Sequence, residues 1–181
     1  MLSVFAISAT NPIPLHAVMA KDLEAFLAAR SESETRWLKS AGFHGKDNEL
    51  VLVPGANGAI AACVLGLGAG RDSLALALFA ERLPPGDYAI GDVPQQFGGK
   101  YAALAWAIGT YSFDRYRGPA KNGHPRLVLP KGVDGETISR IATGVFLARD
   151  LVNTPSNDMG PAELEAVARS EERRVGKECR L

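Results

Sequence analysis

The sequence predicts an α/β protein in three layers, a mixed sheet flanked by helices. Three observations carry this. Short β-rich runs alternate with stretches of helical apolar spacing along most of the chain. Two of the runs, residues 49–53 and 59–67, flank Pro54-Gly55-Ala56-Asn57-Gly58, which is hairpin turn chemistry and makes the sheet mixed rather than purely parallel. From Asp134 onward, Ile138, Ile141, Val145, Ala148 and Val152 recur at steps of three and four, the spacing of a long amphipathic helix.

Taken in order, residues 2–7 form an apolar run that reads as a first strand. Residues 20–30 have helical spacing, with Leu23, Phe26 and Leu27 on one face and Lys21, Asp22, Glu24 and Arg30 off it. Ser31-x-x-Glu34 is a capping box that opens a second short helix through Trp37 and Leu38, and Gly42 is placed to end it. After the hairpin comes Gly66-Leu67-Gly68-Ala69-Gly70-Arg71-Asp72, leading into a helical stretch at 73–83. Pro84-Pro85-Gly86-Asp87 is a turn and 88–90 a short strand. Residues 100–113 are apolar almost all round, as in a helix buried on most sides. Residues 127–129 are a brief buried strand, and Asp134 caps the long helix.

The composition sets limits on function. A chain of 181 residues, 46% hydrophobic, suits one globular domain with room for the start of another. Twenty basic residues balance twenty acidic ones, so no overall field favours nucleic acid or an anionic membrane. The longest uncharged run, between Glu49 and Arg71, is broken by the hairpin turn and reads as strands rather than a membrane span. The N-terminus has no basic residue before Lys21 and is broken by Pro12 and Pro14, a poor signal peptide. Cys63 lies in an apolar run and Cys179 near the C-terminus; two such cysteines make no disulfide framework and point to a reducing, cytoplasmic setting.

Candidate chemistry is sparse. His16, His44 and His124 fall in expected loops, and none belongs to a helix-borne metal pair. Asp47 with Glu49, and Asp134 with Glu136, sit at turns and read as caps and solvated charge. Asp150 and Asp158 flank a turn-rich run without a set of metal partners. The glycines at 66–70 would let backbone amides approach an anion, but the spacing is G-x-G-x-G with no following Gly-Lys-Ser/Thr, and a tight turn capped by Asp72 explains the same residues. Arg115, Arg117, Lys121, His124 and Arg126, with Tyr116 among them, form a basic stretch. The punctuation by Gly118, Pro119, Asn122, Gly123 and Pro125 makes it a solvated loop before it makes it a nucleic-acid contact. On these grounds the expected catalytic, cofactor-binding and metal residues in this chain are none.

One stretch carries identity. Ala148-Arg149-Asp150-Leu151-Val152-Asn153-Thr154-Pro155-Ser156-Asn157-Asp158-Met159-Gly160-Pro161-Ala162-Glu163-Leu164 resembles the junction between the accessory and catalytic domains of the leucyl aminopeptidase (cytosol aminopeptidase) family. Trp106-Ala107-Ile108-Gly109-Thr110-Tyr111-Ser112-Phe113-Asp114-Arg115-Tyr116 is similar to that family's helix with a G-x-Y-x-F pattern. The run is also intelligible locally. Pro155 ends a helix by disfavouring the α conformation at Thr154, Asn157, Asp158 and Gly160 form turns, and Pro161 suits the first turn of a new helix.

The resemblance implies a macro-domain-like accessory domain at 1–152, an interdomain linker at 153–160 and the first helix of a catalytic domain at 161–170. It implies that the intact enzyme releases N-terminal amino acids from peptide substrates with two divalent cations, manganese or zinc, and assembles as a homo-hexamer. The family's metal set lies downstream of the linker, so none of it maps onto this chain, and the chain alone is expected to be inactive. Residues 171–181 resemble a translated sequencing adapter and are expected to be a non-native tail. Two other readings remain open: a phosphate- or nucleotide-binding module working through the 66–70 turn, and a purely structural oligomerisation domain.

Overall fold

A computed structural model describes residues 2–116 and 123–176, with the backbone alone over 172–176. Six strands form one sheet in the order β1-β6-β5-β2-β4-β3. These are β1 (Phe5–Ala6), β2 (Ile13–Val18), β3 (Leu50–Pro54), β4 (Ile60–Gly66), β5 (Asp87–Ile90) and β6 (Arg126–Val128). Every neighbouring pair is parallel except the β3–β4 hairpin. The helices are α1 (Leu23–Ala28), α2 (Glu32–Ser40), α3 (Ala77–Arg82), α4 (Lys100–Gly109), α5 (Gly135–Asn153) and α6 (Pro161–Gly176). The mixed, three-layer α/β arrangement is the one expected from the sequence.

The sheet separates two apolar clusters. Leu15 and Ala17 of β2, with Cys63 and Leu65 of β4, join Phe79, Trp106 and Ile138 on one side. Val18, Ala62 and Val64 join Leu27, Leu38 and Phe43 on the other. This is the two-residue alternation of strands buried on both faces. The central strand β2 is absent from the sequence-based reading, where Pro12 and Pro14 act as breakers. Pro14 is tolerated because it lies at the start of the strand, before the β2–β4 ladder begins at Leu15.

Several local expectations hold. The Ser31–Glu34 capping box forms in both directions, and Gly42 takes a left-handed φ of 71° just beyond α2. Asp134 accepts from the amide of Glu136 and caps α5. Others shift. The region 20–30 divides into a 3₁₀ turn, Ala20–Asp22, and α1. Asp72 holds a turn by accepting from the Leu74 amide, and α3 starts only at Ala77. The helix at 100 ends at Gly109 rather than 113, where the α3 carbonyl of Ala77 lies 2.3 Å from the position a Cβ on Gly109 would take. Tyr111 and Phe113 therefore belong to the loop that follows.

The apolar stripe of α5 is also turned from the expected one. Ile138 and Ala142 are buried, whereas Ile141, Ala148 and Val152 face outward. The helix meets the rest of the domain through small side chains: Ser139 accepts from the Leu2 amide, and Ala142 sits in the same cluster as Ala102 and Ala105 of α4. Helix α6 continues past Ser170 to Gly176.

The tightest backbone approach is at the end of β4. A Cβ on Gly66 would fall 2.2 Å from the Lys46 carbonyl oxygen. Gly66→Ala is therefore expected to destabilise the domain by about 1–3 kcal/mol, as overpacking against rigid backbone does. Urea unfolding of the two proteins checks this; equal midpoints would contradict the close packing of the 45–46 loop on β4.

Candidate functional site

Helix α5 ends where Thr154 turns to an extended conformation, φ −76° and ψ 123°, ahead of Pro155. The Thr154 hydroxyl and amide both donate to the Asp150 carbonyl, at 2.6 and 3.0 Å, and close the last turn. The run that follows is not a bare tether. The loop after α4 reaches across and grips it. Tyr111 donates to Asp150 Oδ1 at 2.8 Å, and Asn153 donates to the Tyr111 oxygen at 3.0 Å. Arg115 donates to the Thr154 hydroxyl at 3.3 Å. Tyr116 donates to Asp158 Oδ2 at 2.5 Å. Arg149 donates to the Ile108 carbonyl at 3.2 Å and lies 5.2 Å from the Tyr111 ring centre. Tyr111 in turn packs on Phe146, ring centres 5.4 Å apart.

These contacts join two segments about forty residues apart in the chain, the same two stretches that stand out in the sequence. Asp150 and Asp158, the carboxylates of this run, each take a tyrosine hydroxyl instead of converging on one another. Both phenols are held above their ordinary range, Tyr111 by desolvation with Asp150 adding to it, Tyr116 by its bond to Asp158.

The glycine turn at 66–70 is committed to the fold. The Gly66 amide donates to Glu49, Leu67 to Val18, Gly68 to Gly45 and Gly70 to Leu67. The Asp47 carboxylate lies about 2.5 Å from where a Cβ on Gly68 would be. With four of its five amides spent and a carboxylate beside Gly68, the turn does not make a phosphate cradle, and the anion-binding reading of it is set aside.

The remaining candidates are dispersed. Glu49 accepts from the amides of His44 and Lys46 and braces their loop. Arg126 forks onto Asp87. With Arg115 on Thr154, two members of the basic stretch are held by the fold, His124 is exposed, and Arg117 and Lys121 lie outside the described residues. Cys63 is fully buried, and burial pushes its thiol up to about 12, so it is an inert core residue; Cys179 lies outside the described residues. Among the described residues no group of three or more His, Cys, Asp or Glu side chains is placed to hold a metal ion. Nor is any helix among them long and apolar enough to cross a membrane.

His16 departs from its expected place in a loop. It stands on β2 and is buried, with Nδ1 accepting from the Asp92 amide at 2.9 Å and Nε2 3.3 Å from Arg30. Arg30 is ion-paired with Asp92. A strand placement was hidden by the flanking prolines, so no signal in the residue itself gave away its burial.

Two predictions come from this geometry. Burial, then Arg30, hold the His16 pKa below its ordinary 6.5, against the pull of Asp92 and Glu34. The unfolded chain then binds the proton first. Stability is complete above pH 6.5 and falls as the pH drops from 6.5 through the lower folded value, by at most ~1.4 kcal/mol per pH unit. Urea unfolding between pH 7.5 and 5.5 measures the slope, and His16→Gln is expected to flatten it. For the clasp, Tyr111→Phe combined with Tyr116→Phe is expected to accelerate amide exchange across residues 150–160 by about tenfold or more, leaving β2 and β4 unchanged. Unaltered exchange at 150–160 would mean that the tyrosines do not hold this run.

Comparison with known proteins agrees with this architecture. The family model described as "M17 aminopeptidase, N-terminal domain" matches residues 13–130, well over half of the chain. A probable cytosol aminopeptidase of Leifsonia xyli subsp. xyli is 33% identical over 150 residues, covering 69% of this chain and 28% of its own length. The crystal structure of the cytosol aminopeptidase from Coxiella burnetii superposes with a TM-score of 0.77 at 27% identity, over 92% of this chain and 36% of that one. The bottromycin maturation enzyme BotP in complex with Mn shares the fold, with a TM-score of 0.65 at 18% identity over 92% of this chain and 37% of that one. This chain thus spans roughly a third of the length of the proteins it matches, and over that third, from the central strand β2 through β6, it belongs to the M17 aminopeptidase family as an N-terminal domain.

Proposed function

We propose that residues 1–152 are the accessory domain of a cytosolic, metal-dependent aminopeptidase that releases N-terminal amino acids from peptides. On this reading residues 153–160 are its interdomain linker and 161–170 the opening of its catalytic domain. The observation that carries the proposal is the family match over residues 13–130. The clasp supports it, because a junction between two domains needs a defined exit, and the chain leaves α5 along a path held by Tyr111, Arg115 and Tyr116.

The described residues do not fit a metal centre. No catalytic step is assigned to any of them, and we place the divalent cations, manganese or zinc, and the hexameric assembly in the part of the enzyme beyond this stretch. BotP, which shares the fold, is described in complex with Mn. The phosphate-binding alternative finds four of the five amides of the 66–70 turn already donating within the fold.

The purified 181-residue chain is accordingly expected to release no product from a leucine anilide in manganese or zinc buffer. A cytosol aminopeptidase of full length serves as the positive control. Turnover by the chain that is abolished by a chelator would overturn the assignment of catalysis to another part of the enzyme.

A further inference from the structure

The chain leaves the two neighbouring strands β2 and β5 toward opposite faces of the sheet. After β2 come α1 and α2, whose Leu27 and Leu38 pack with Val18 and Val64. After β5 comes α4, whose Ala102, Ala103 and Trp106 belong to the cluster on the other face. Diverging connections open a crevice at the carboxyl ends of such strands, and open α/β sheets take their ligands there.

Two cavities lie at that place. One, of about 420 Å³, runs between Val18–Met19 and Gly91–Asp92, with Asp22 and Phe26 along its wall. The other, of about 520 Å³, runs between Met19–Lys21 and Gly68–Ala69, with Gln96 beside them. Both are clefts open to solvent, with volumes in the range of small-ligand sites. Met19 lines both. Its sulfur lies 2.8 Å from where a Cβ on Gly70 would be and 3.9 Å from Gln96 Nε2, so it forms a low apolar septum.

The two sides differ in sign. The first is lined by Asp22 and Asp92. The bond from Arg30 holds Asp92 below the usual carboxylate range, and its side chain is still 69% exposed. The second is lined by Lys21 and Gln96. Lys21 and Asp22 are successive residues, their Cα atoms about 3.8 Å apart, and neither side chain has an ion-pair or hydrogen-bond partner among the described residues. Two unpartnered opposite charges, each at its own cavity and separated by an apolar step, match a short zwitterion with an apolar side chain. Carboxylates on one side disfavour phosphate esters.

We propose that this crevice binds a free apolar amino acid or dipeptide. Its ammonium sits by Asp22 and Asp92, its side chain against Met19 and Phe26, and its carboxylate toward Lys21 and Gln96. Amino acids of this kind are also the products of the reaction proposed above, and on that reading the crevice senses product. Binding is measured on this chain alone and stands or falls independently of any peptidase activity.

The test is a titration of the ¹⁵N-labelled 181-residue chain with leucine, leucylglycine, N-acetylleucine, leucinamide and AMP. Saturable shifts centred on Met19, Lys21, Asp22, Asp92 and Gln96 are expected for leucine or leucylglycine. N-acetylleucine and leucinamide, each lacking one charge, are expected to bind about tenfold more weakly, the effect of losing one charge-assisted hydrogen bond. Asp22→Asn and Lys21→Gln alter exposed, unpartnered side chains, so the fold is retained, as the spectrum verifies, while each weakens leucine binding several-fold. Absence of saturation by both zwitterions at tens of millimolar would overturn the proposal. So would N-acetylleucine binding as tightly as leucine, or AMP binding more tightly than either zwitterion.

Discussion

The placement of β2 at the centre of the sheet is the constraint on which the rest of this domain depends. Its backbone is paired with β4 on one side and β5 on the other, and its side chains alternate between two cores. Leu15 and Ala17 look toward α4, and Val18 toward α1 and α2. A strand in that position needs apolar residues on both faces, and Ile13 to Val18 supplies them with one exception, His16. The histidine is accommodated because Asp92 and Arg30 meet it, and the same trio ties the exit of β5 to β2. Everything at the carboxyl edge, including the cavities beside Met19, follows from that pairing.

The second organising contact is between the loop after α4 and the end of α5. In sequence, Tyr111 to Tyr116 and Arg149 to Asp158 are separate stretches. In space they form one unit, in which tyrosine hydroxyls answer two carboxylates and an arginine answers a threonine. The turn-rich run after α5 is thereby directed. Exposed contacts of this kind add modestly to stability, and their effect lies in restricting the path of the chain. The outward-facing Ile141 and Val152 of α5 show that the apolar residues of that helix are not all used within this domain.

Where sequence reasoning succeeded, the signal was local. The hairpin turn, the capping box, Gly42 and the Asp134 cap are each decided within a few residues, by φ preference or by a side chain satisfying a neighbouring amide. Where it failed, the decision was made at a distance. Pro14 reads as a breaker until the staggered start of the β2–β4 ladder is known. The stripe on α5 predicts burial of Ile141 and Val152, yet the close approach of Ala142 and Ser139 turned the helix. The 66–70 stretch reads first as a tight turn, and the carbonyls that accept four of its amide hydrogens agree with that. Asp150 and Asp158 show no set of metal partners in the sequence, and only the fold supplies their actual partners, Tyr111 and Tyr116.

The sequence by itself determined the α/β class, the mixed sheet and the family, because these rest on periodicity, turn chemistry and a contiguous run of residues from 148 to 164. Only the tertiary structure decided which strand lies at the centre, which helix face is buried, that the run after α5 is clasped, and that Lys21 and Asp22 stand at separate clefts beside Met19. Those outcomes depend on which segments meet across the sheet, and such pairing is set by the packing of the whole core, which no short window of residues encodes.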